Sequence, residues 1–187
     1  MGFTSIISQL LTVPPYFVAT IVCASAAIIS DRIRNRGKVL MFIAPLIPIG
    51  FALLATINIT GVKYFAIFLS TTGAFTMSPI LVSWGSENSA GPAVRAITSA
   101  YLVGFGSIGA LISTWTYLAK DAPRYVMGHW INFGFGVLAC IVIPTLVLVL
   151  TRENGARERG ERDHLLELPE DEIDQLGYLH PRFKFTT

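Results

Sequence analysis

Met1 to Ser30 contains no Asp, Glu, Lys or Arg, and four later stretches, 39–62, 64–86, 96–119 and 125–151, are equally bare. No soluble core within 187 residues can bury five such runs, whereas about 20 apolar residues in a helix cross a hydrocarbon layer roughly 30 Å thick. Lipid offers the backbone no hydrogen-bond partners, so each crossing has to be helical. With 52% hydrophobic and 14% charged residues, against about a quarter charged in soluble proteins, the chain reads as an all-α integral membrane protein whose first partner is the lipid bilayer. The expected spans are 13–30, 39–59, 64–86, 96–119 and 125–151. Residues 1–12 form a segment ahead of the first span, and 152–187 form a tail.

The breaks between runs set the sidedness. Asp31, Arg32, Arg34, Arg36 and Lys38 crowd between the first two spans, with Gly37 among them, and this reads as a short loop. Basic residues are retained on the cytoplasmic side. Counting the loops alternately, with the first part of the tail to Arg162, nine Lys and Arg fall on the side of this loop and three on the other. The pattern predicts an outside start and a cytoplasmic tail. Pro14-Pro15 suits the start of the first helix, and Pro45 and Pro48 mark a bend in the second. The tail alternates charges from Arg152 to Arg162, which reads as a solvated helical stub continuing the fifth span, and Pro169 to Glu172 reads as the acidic first turn of a short helix, in a tail that is mostly solvated with little fixed structure.

Several chemistries are excluded. The spans hold no carboxylate to carry a proton, no Walker A sequence occurs, and the histidines, His129, His164 and His180, cannot pair for haem ligation across the membrane. Cys23 and Cys140 lack metal or redox spacing and read as small core residues. No catalytic group, cofactor or metal site is expected. The aromatics lie mostly inside the apolar runs rather than among exposed cations, which argues against nucleic acid.

Three spans carry polar or small residues worth naming. In the third, Thr72, Thr76, Pro79 and Ser83 follow helical spacing, so hydroxyls and a carbonyl freed by proline would share one face. That face could line a substrate pathway or pack against another helix. In the fourth, Gly106 with Ala110 and Gly109 with Ser113 are small pairs four residues apart, the spacing that lets helices approach closely. In the fifth, Asn132 could contact a solute or satisfy a packing contact, and His129 beside Trp130 reads as interfacial.

Gly2-Phe3 with Leu10-Leu11-Thr12-Val13-Pro14-Pro15-Tyr16, Ser30-Asp31-Arg32 through Gly37, Asp121-Ala122-Pro123-Arg124-Tyr125, and Leu176-Gly177 before His180-Pro181 together resemble the fungal anion:cation symporter branch of the major facilitator superfamily, the allantoate permease-like and nicotinate or pantothenate permease-like proteins. The resemblance covers essentially the whole chain. It implies a twelve-helix fold in two halves of which the chain supplies helices eight to twelve, a partial C-terminal half, with Met1 in the outer loop after helix seven. It implies a secondary transporter of a small organic anion or vitamin, proton-coupled at full length, in the plasma membrane, working at a site between halves. Thr72, Thr76, Ser83 and Asn132 would be pathway candidates. Asp31, Arg32, Arg34, Arg36 and Gly37 would be a second copy of the superfamily's cytoplasmic signature loop, with Asp31 facing a helix end in the other half. In the loop after the third span the family shows a Thr-Lys-Arg run where this chain has Val94-Arg95, one cation fewer. On this reading the chain alone does not transport, and its partner is a missing N-terminal half or a full-length relative that it modulates as an interaction protein.

Overall fold

The computed structural model describes residues 5–118, 121–122, 124–169 and 174–187. Seven α-helices occur among them: α1 (Ser5–Leu10), α2 (Val13–Ile33), α3 (Arg36–Ile43), α4 (Leu46–Thr56), α5 (Thr60–Glu87), α6 (Pro92–Trp115) and α7 (Val126–Glu158), followed by 3-10 turns at Asp163–Glu167 and Asp174–Leu179. No strand is present among the described residues. Five helical stretches are long and apolar enough to cross a membrane: α2, the combined Arg36–Thr56, α5, α6 and α7. Thus the all-α, five-span architecture stands.

Local chemistry sets the boundaries. Pro14 and Pro15 occupy the first turn of α2, where their missing N–H groups cost nothing. Arg34 ends α2 in the left-handed region at φ 52°, and the Asn35 side chain caps α3 by accepting the Lys38 amide at 3.3 Å. The turn between the first two spans is therefore only Arg34-Asn35, and the expected loop of 30–38 is mostly helical: Asp31 sits in the last turn of α2, Arg36 and Gly37 in the first of α3. Between α3 and α4 the helix breaks at Ala44-Pro45, because Pro45 and Pro48 cannot donate to the preceding turn. α7 runs on to Glu158, and its 33 residues are about 50 Å long at 1.5 Å per residue, so its last turns stand clear of the hydrocarbon layer.

α4 lies between α5 and α7, α2 packs along α5, and α6 flanks α5 and α7 at the margin. Glycine makes the closest approaches. A Cβ on Gly50 would come within 2.7 Å of the Ser70 backbone nitrogen, one on Gly73 within 2.8 Å of Ile47, and one on Gly136 within 2.9 Å of Pro48. The stripe that α2 buries, Pro15, Ala19, Ala26 and Ser30, is composed of small residues for the same reason. Ala26, Leu40, Ile43, Ala44, Ile80, Trp84 and Ile143 form the apolar core, nearer the end where the tail lies. α6 buries no residue at all.

The tail continues α7 to Glu158 as a partly exposed stub, and beyond it has more fixed structure than its charge pattern suggests. After α7 it turns back, and Phe185 and Thr186 lie across the ends of α5 and α7. Main-chain hydrogen bonding, invisible in a charge pattern, supplies the order. The acidic turn expected at Pro169 to Glu172 falls largely outside the described residues.

Candidate functional site

At the tail end, Arg36 joins two carboxylates. Its Nη2 lies 2.8 Å from Asp31 Oδ1 and 2.6 Å from Glu87 Oε1, and its Nε donates to Glu87 Oε2 at 2.7 Å. The guanidinium fork thus grips Glu87 with two parallel bonds, the strong geometry for such a pair, and ties the end of α5 to the turn between α2 and α3. The Arg36 side chain is 16% exposed, against 63% for Asp31 and 40% for Glu87. Asp31 therefore has a partner within the chain. Sequence reasoning passed over Glu87, although a carboxylate directly after a bare run is itself a signal.

A cavity of about 230 Å³ adjoins the cluster, lined by Ser30, Asp31, Arg34, Arg36, Glu87 and Thr186. The Ser30 hydroxyl at its wall is fully buried and has no partner among the described residues. Arg32 and Arg34 are exposed, while Gly37 is buried where a Cβ would meet Val147, Thr187 and Trp84.

Midway along α5 the expected hydroxyl face divides. Thr72 and Thr76 are buried, Ser83 is half-buried and Pro79 is exposed. Towards the tail end the buried stripe continues through Ile80 and Trp84 instead, because the apolar core with α3 and α7 forms there. Thr76 is fully buried and its hydroxyl has no partner among the described residues. Thr72 borders an apolar groove of about 460 Å³ between α2, α4 and α5, floored by Val18, Leu46, Tyr64 and Phe68. Ser78, which the sequence did not single out, lies on the uncovered face.

At the opposite end, Asn132 is a staple. Its Oδ1 accepts from Ser113 Oγ at 2.8 Å, and its Nδ2 donates to Gly128 O at 2.9 Å and to the Tyr117 hydroxyl at 3.4 Å. That hydroxyl lies 3.1 Å from His129 Nδ1, with the two rings edge to face at 5.4 Å. Burial pushes the Tyr117 phenol above its usual pKa, and the hydrogen bond from Asn132 partly offsets this. Asn132 is 9% exposed with both amide atoms engaged, so here it joins α6 to α7 rather than facing an open path. Ser113 makes its contact, but Gly106 and Gly109 have nothing within 4 Å of a Cβ, and Ala110 is exposed. The close helix packing that their spacing predicts is not made among the described helices. No group of three His, Cys, Asp or Glu able to hold a metal occurs among the described residues.

Comparison with curated proteins finds fungal transporters. The MFS-type transporter cnsO of Penicillium expansum is 33% identical over 196 residues, 99% of this chain and 37% of the relative. The high-affinity nicotinic acid transporter of Saccharomyces cerevisiae is 32% identical over 186 residues, again 99% of this chain and 35% of the relative. The MFS-type transporter efuF of Hormonema carpetanum is 35% identical over 162 residues, 85% of this chain and 33% of the relative. The chain spans about a third of the length of the relatives it matches. No family model and no solved structure matches it.

Proposed function

The chain is homologous to fungal transporters of the major facilitator superfamily over about a third of their length, and from that premise we propose that it supplies the last five spans of a secondary transporter for a small organic anion or vitamin. The observation that carries this reading is an identity of 32% extending over 99% of the chain to a nicotinic acid transporter, together with five membrane-length helices. The basic turn at Arg32 to Lys38 and the tail lie in the cytoplasm by charge asymmetry, and the membrane is the plasma membrane. Proton coupling belongs to the complete transporter, since the spans here contribute no carboxylate.

Transport of this kind uses a site between two bundles, so the five spans require a complement. That complement is an N-terminal portion or a full-length relative to which the chain binds; in the second case the chain modulates its partner. α5 is the helix we assign to the pathway. Thr72 reaches a solute only by way of the groove between α2, α4 and α5, Thr76 only if the helices packed on it part, and Asn132 only if its staple opens. Half-buried Ser83 and exposed Ser78 need no such movement.

Uptake of radiolabelled nicotinate in yeast lacking its own transporter tests both levels. The chain alone is expected to give background uptake, and co-expression with the first seven spans of the Saccharomyces cerevisiae relative to restore it. Uptake by the chain alone would refute the need for a complement. Within the restored pair, Ser78→Ala with Ser83→Ala should raise KM, whereas Thr76→Val should act only through protein level. The opposite pattern would move the pathway to the buried face.

A further inference from the structure

We propose that residues 178–187 are an intramolecular latch, a returning segment whose main chain is read by side chains of α5 and α7, stapling the two helices together beside the Arg36 cluster. The recognition uses paired amide contacts on consecutive residues. Asn154 of α7 donates to Phe185 O at 2.8 Å and accepts from Phe185 N at 2.9 Å. Asn88, at the end of α5, donates to Thr186 O at 3.1 Å and accepts from Thr186 N at 2.8 Å. Two asparagines on two helices thus grip neighbouring residues of the strap. Trp84 adds a third donor, its Nε1 meeting Thr186 O at 2.7 Å.

Arg157 fixes the approach. Its guanidinium donates to Tyr178 O at 3.1 Å, His180 O at 3.3 Å and Phe183 O at 2.7 Å, and lies 4.5 Å from the centre of the Phe185 ring. Glu153 balances the charge at 3.1 Å, and the Arg157 side chain is only 7% exposed. Four polar side chains, Trp84 and Asn88 of α5 and Asn154 and Arg157 of α7, are thus directed at one strap. Undocking would strip partners from all of them at once, which makes release a concerted event rather than fraying.

The strap also touches the charge cluster. Thr186 walls the cavity that Asp31, Arg36 and Glu87 share with the unpartnered Ser30 hydroxyl, and Gly37 is kept without a side chain where Thr187, Trp84 and Val147 converge. With the latch down, Thr186 covers one side of that cavity, while Asp31 and Glu87 stay partly in water. With it up, the turn between α2 and α3 loses its cover.

The proposal is independent of transport and is tested by hydrogen–deuterium exchange on the full chain in lipid nanodiscs. The Phe185 and Thr186 amides are expected to exchange at least about tenfold more slowly than the same amides in a synthetic peptide of residues 178–187. Asn88→Ala should release both amides, and so should Asn154→Ala, while the α5 amides of Ala66 and Ser70 stay protected and report intact folding. Asn88→Asp keeps the acceptor for Thr186 N–H but loses the donor, and should fall between. As a second reading, Ser30→Cys, in a chain with Cys23 and Cys140 changed to alanine, should be alkylated about tenfold faster when Asn88→Ala and Asn154→Ala are combined. Peptide-like exchange in the parent chain, loss of protection at Thr186 alone in Asn88→Ala, or an unchanged alkylation rate would each overturn the latch.

Discussion

Adding one methyl group to a glycine should have opposite effects at Gly50 and Gly106. A Cβ at Gly50 would stand 2.7 Å from Ser70 N, 2.8 Å from Ala66 O and 2.9 Å from Ser70 Cβ. Two of these atoms belong to the backbone of α5 and cannot swing aside. Reaching the 3.4 Å of ordinary contact requires α4 to retreat by about 0.7 Å, which disturbs the Ile47 contact with Gly73 and the Pro48 contact with Gly136 on its two sides. Overpacking of this sort costs about 1–3 kcal/mol, and the better helix propensity of alanine returns about 1 kcal/mol. Gly50→Ala should therefore be destabilising by about 1 kcal/mol, the middle of a range of about 0–2. Gly106 has nothing within 4 Å, so Gly106→Ala keeps only the propensity gain, about 0.5–1 kcal/mol. The two variants should differ by about 2 kcal/mol, roughly thirtyfold in the unfolding equilibrium. Equilibrium unfolding of the purified chain by added SDS, followed through the fluorescence of buried Trp84, reads this gap. Stability above wild type for Gly50→Ala would refute the packing account. A loss of 1 kcal/mol or more for Gly106→Ala would show that another helix already covers α6.

Arg36→Lys should cost less than Arg36→Ala but still destabilise, since an ammonium cannot reproduce the fork on Glu87; with Asp31 and Glu87 both partly in water the larger loss is about 1 kcal/mol and shrinks in high salt, as the same titration would reveal. Asn132→Leu should cost about 1–2 kcal/mol by orphaning the Ser113 hydroxyl and removing the amide's bond to the Tyr117 hydroxyl, and Ser113→Ala less. Unfolding curves for both and the double variant give their coupling, and strict additivity would deny the staple. Lys184→Ala should leave strap protection nearly unchanged, because its pair with Glu158 is exposed on both sides. That carboxylate holds the Lys184 ammonium above its usual pKa, so the small contribution is present below about pH 10 and fades as pH rises through the raised value.

The five crossings were legible because lipid imposes a rule that composition cannot evade: every residue from Val39 to Val62 had to be uncharged, and no packing detail was needed to see it. The break at Ala44-Pro45 was equally open to reading, since proline acts through its own covalent structure. What stayed hidden depends on a second surface. Gly106 and Gly109 carry the small-residue spacing, and Gly50 and Gly136, flanked four residues away by Leu46, Leu54, Asn132 and Cys140, do not, yet only the latter pair meets a neighbour; a small residue permits an approach and does not say which helix makes it. Thr76 and Ser83 likewise share a helical face in projection, but the core around Ile80 and Trp84 decides which of them is covered. The tail was misread for a different reason. Arg157, Arg159 and Arg162 look alike in a charged run, and Arg157 alone is turned onto three carbonyls of the returning strap. Carbonyls are present at every residue, so no side-chain pattern marks the ones that will be used. A contact made to main chain leaves its trace on one partner only, and in this chain the traces are Asn88, Asn154 and Arg157, three polar residues at helix ends whose side chains reach main-chain groups of the strap, Asn88 and Arg157 while also bonding Trp84 O and Glu153 of their own helices.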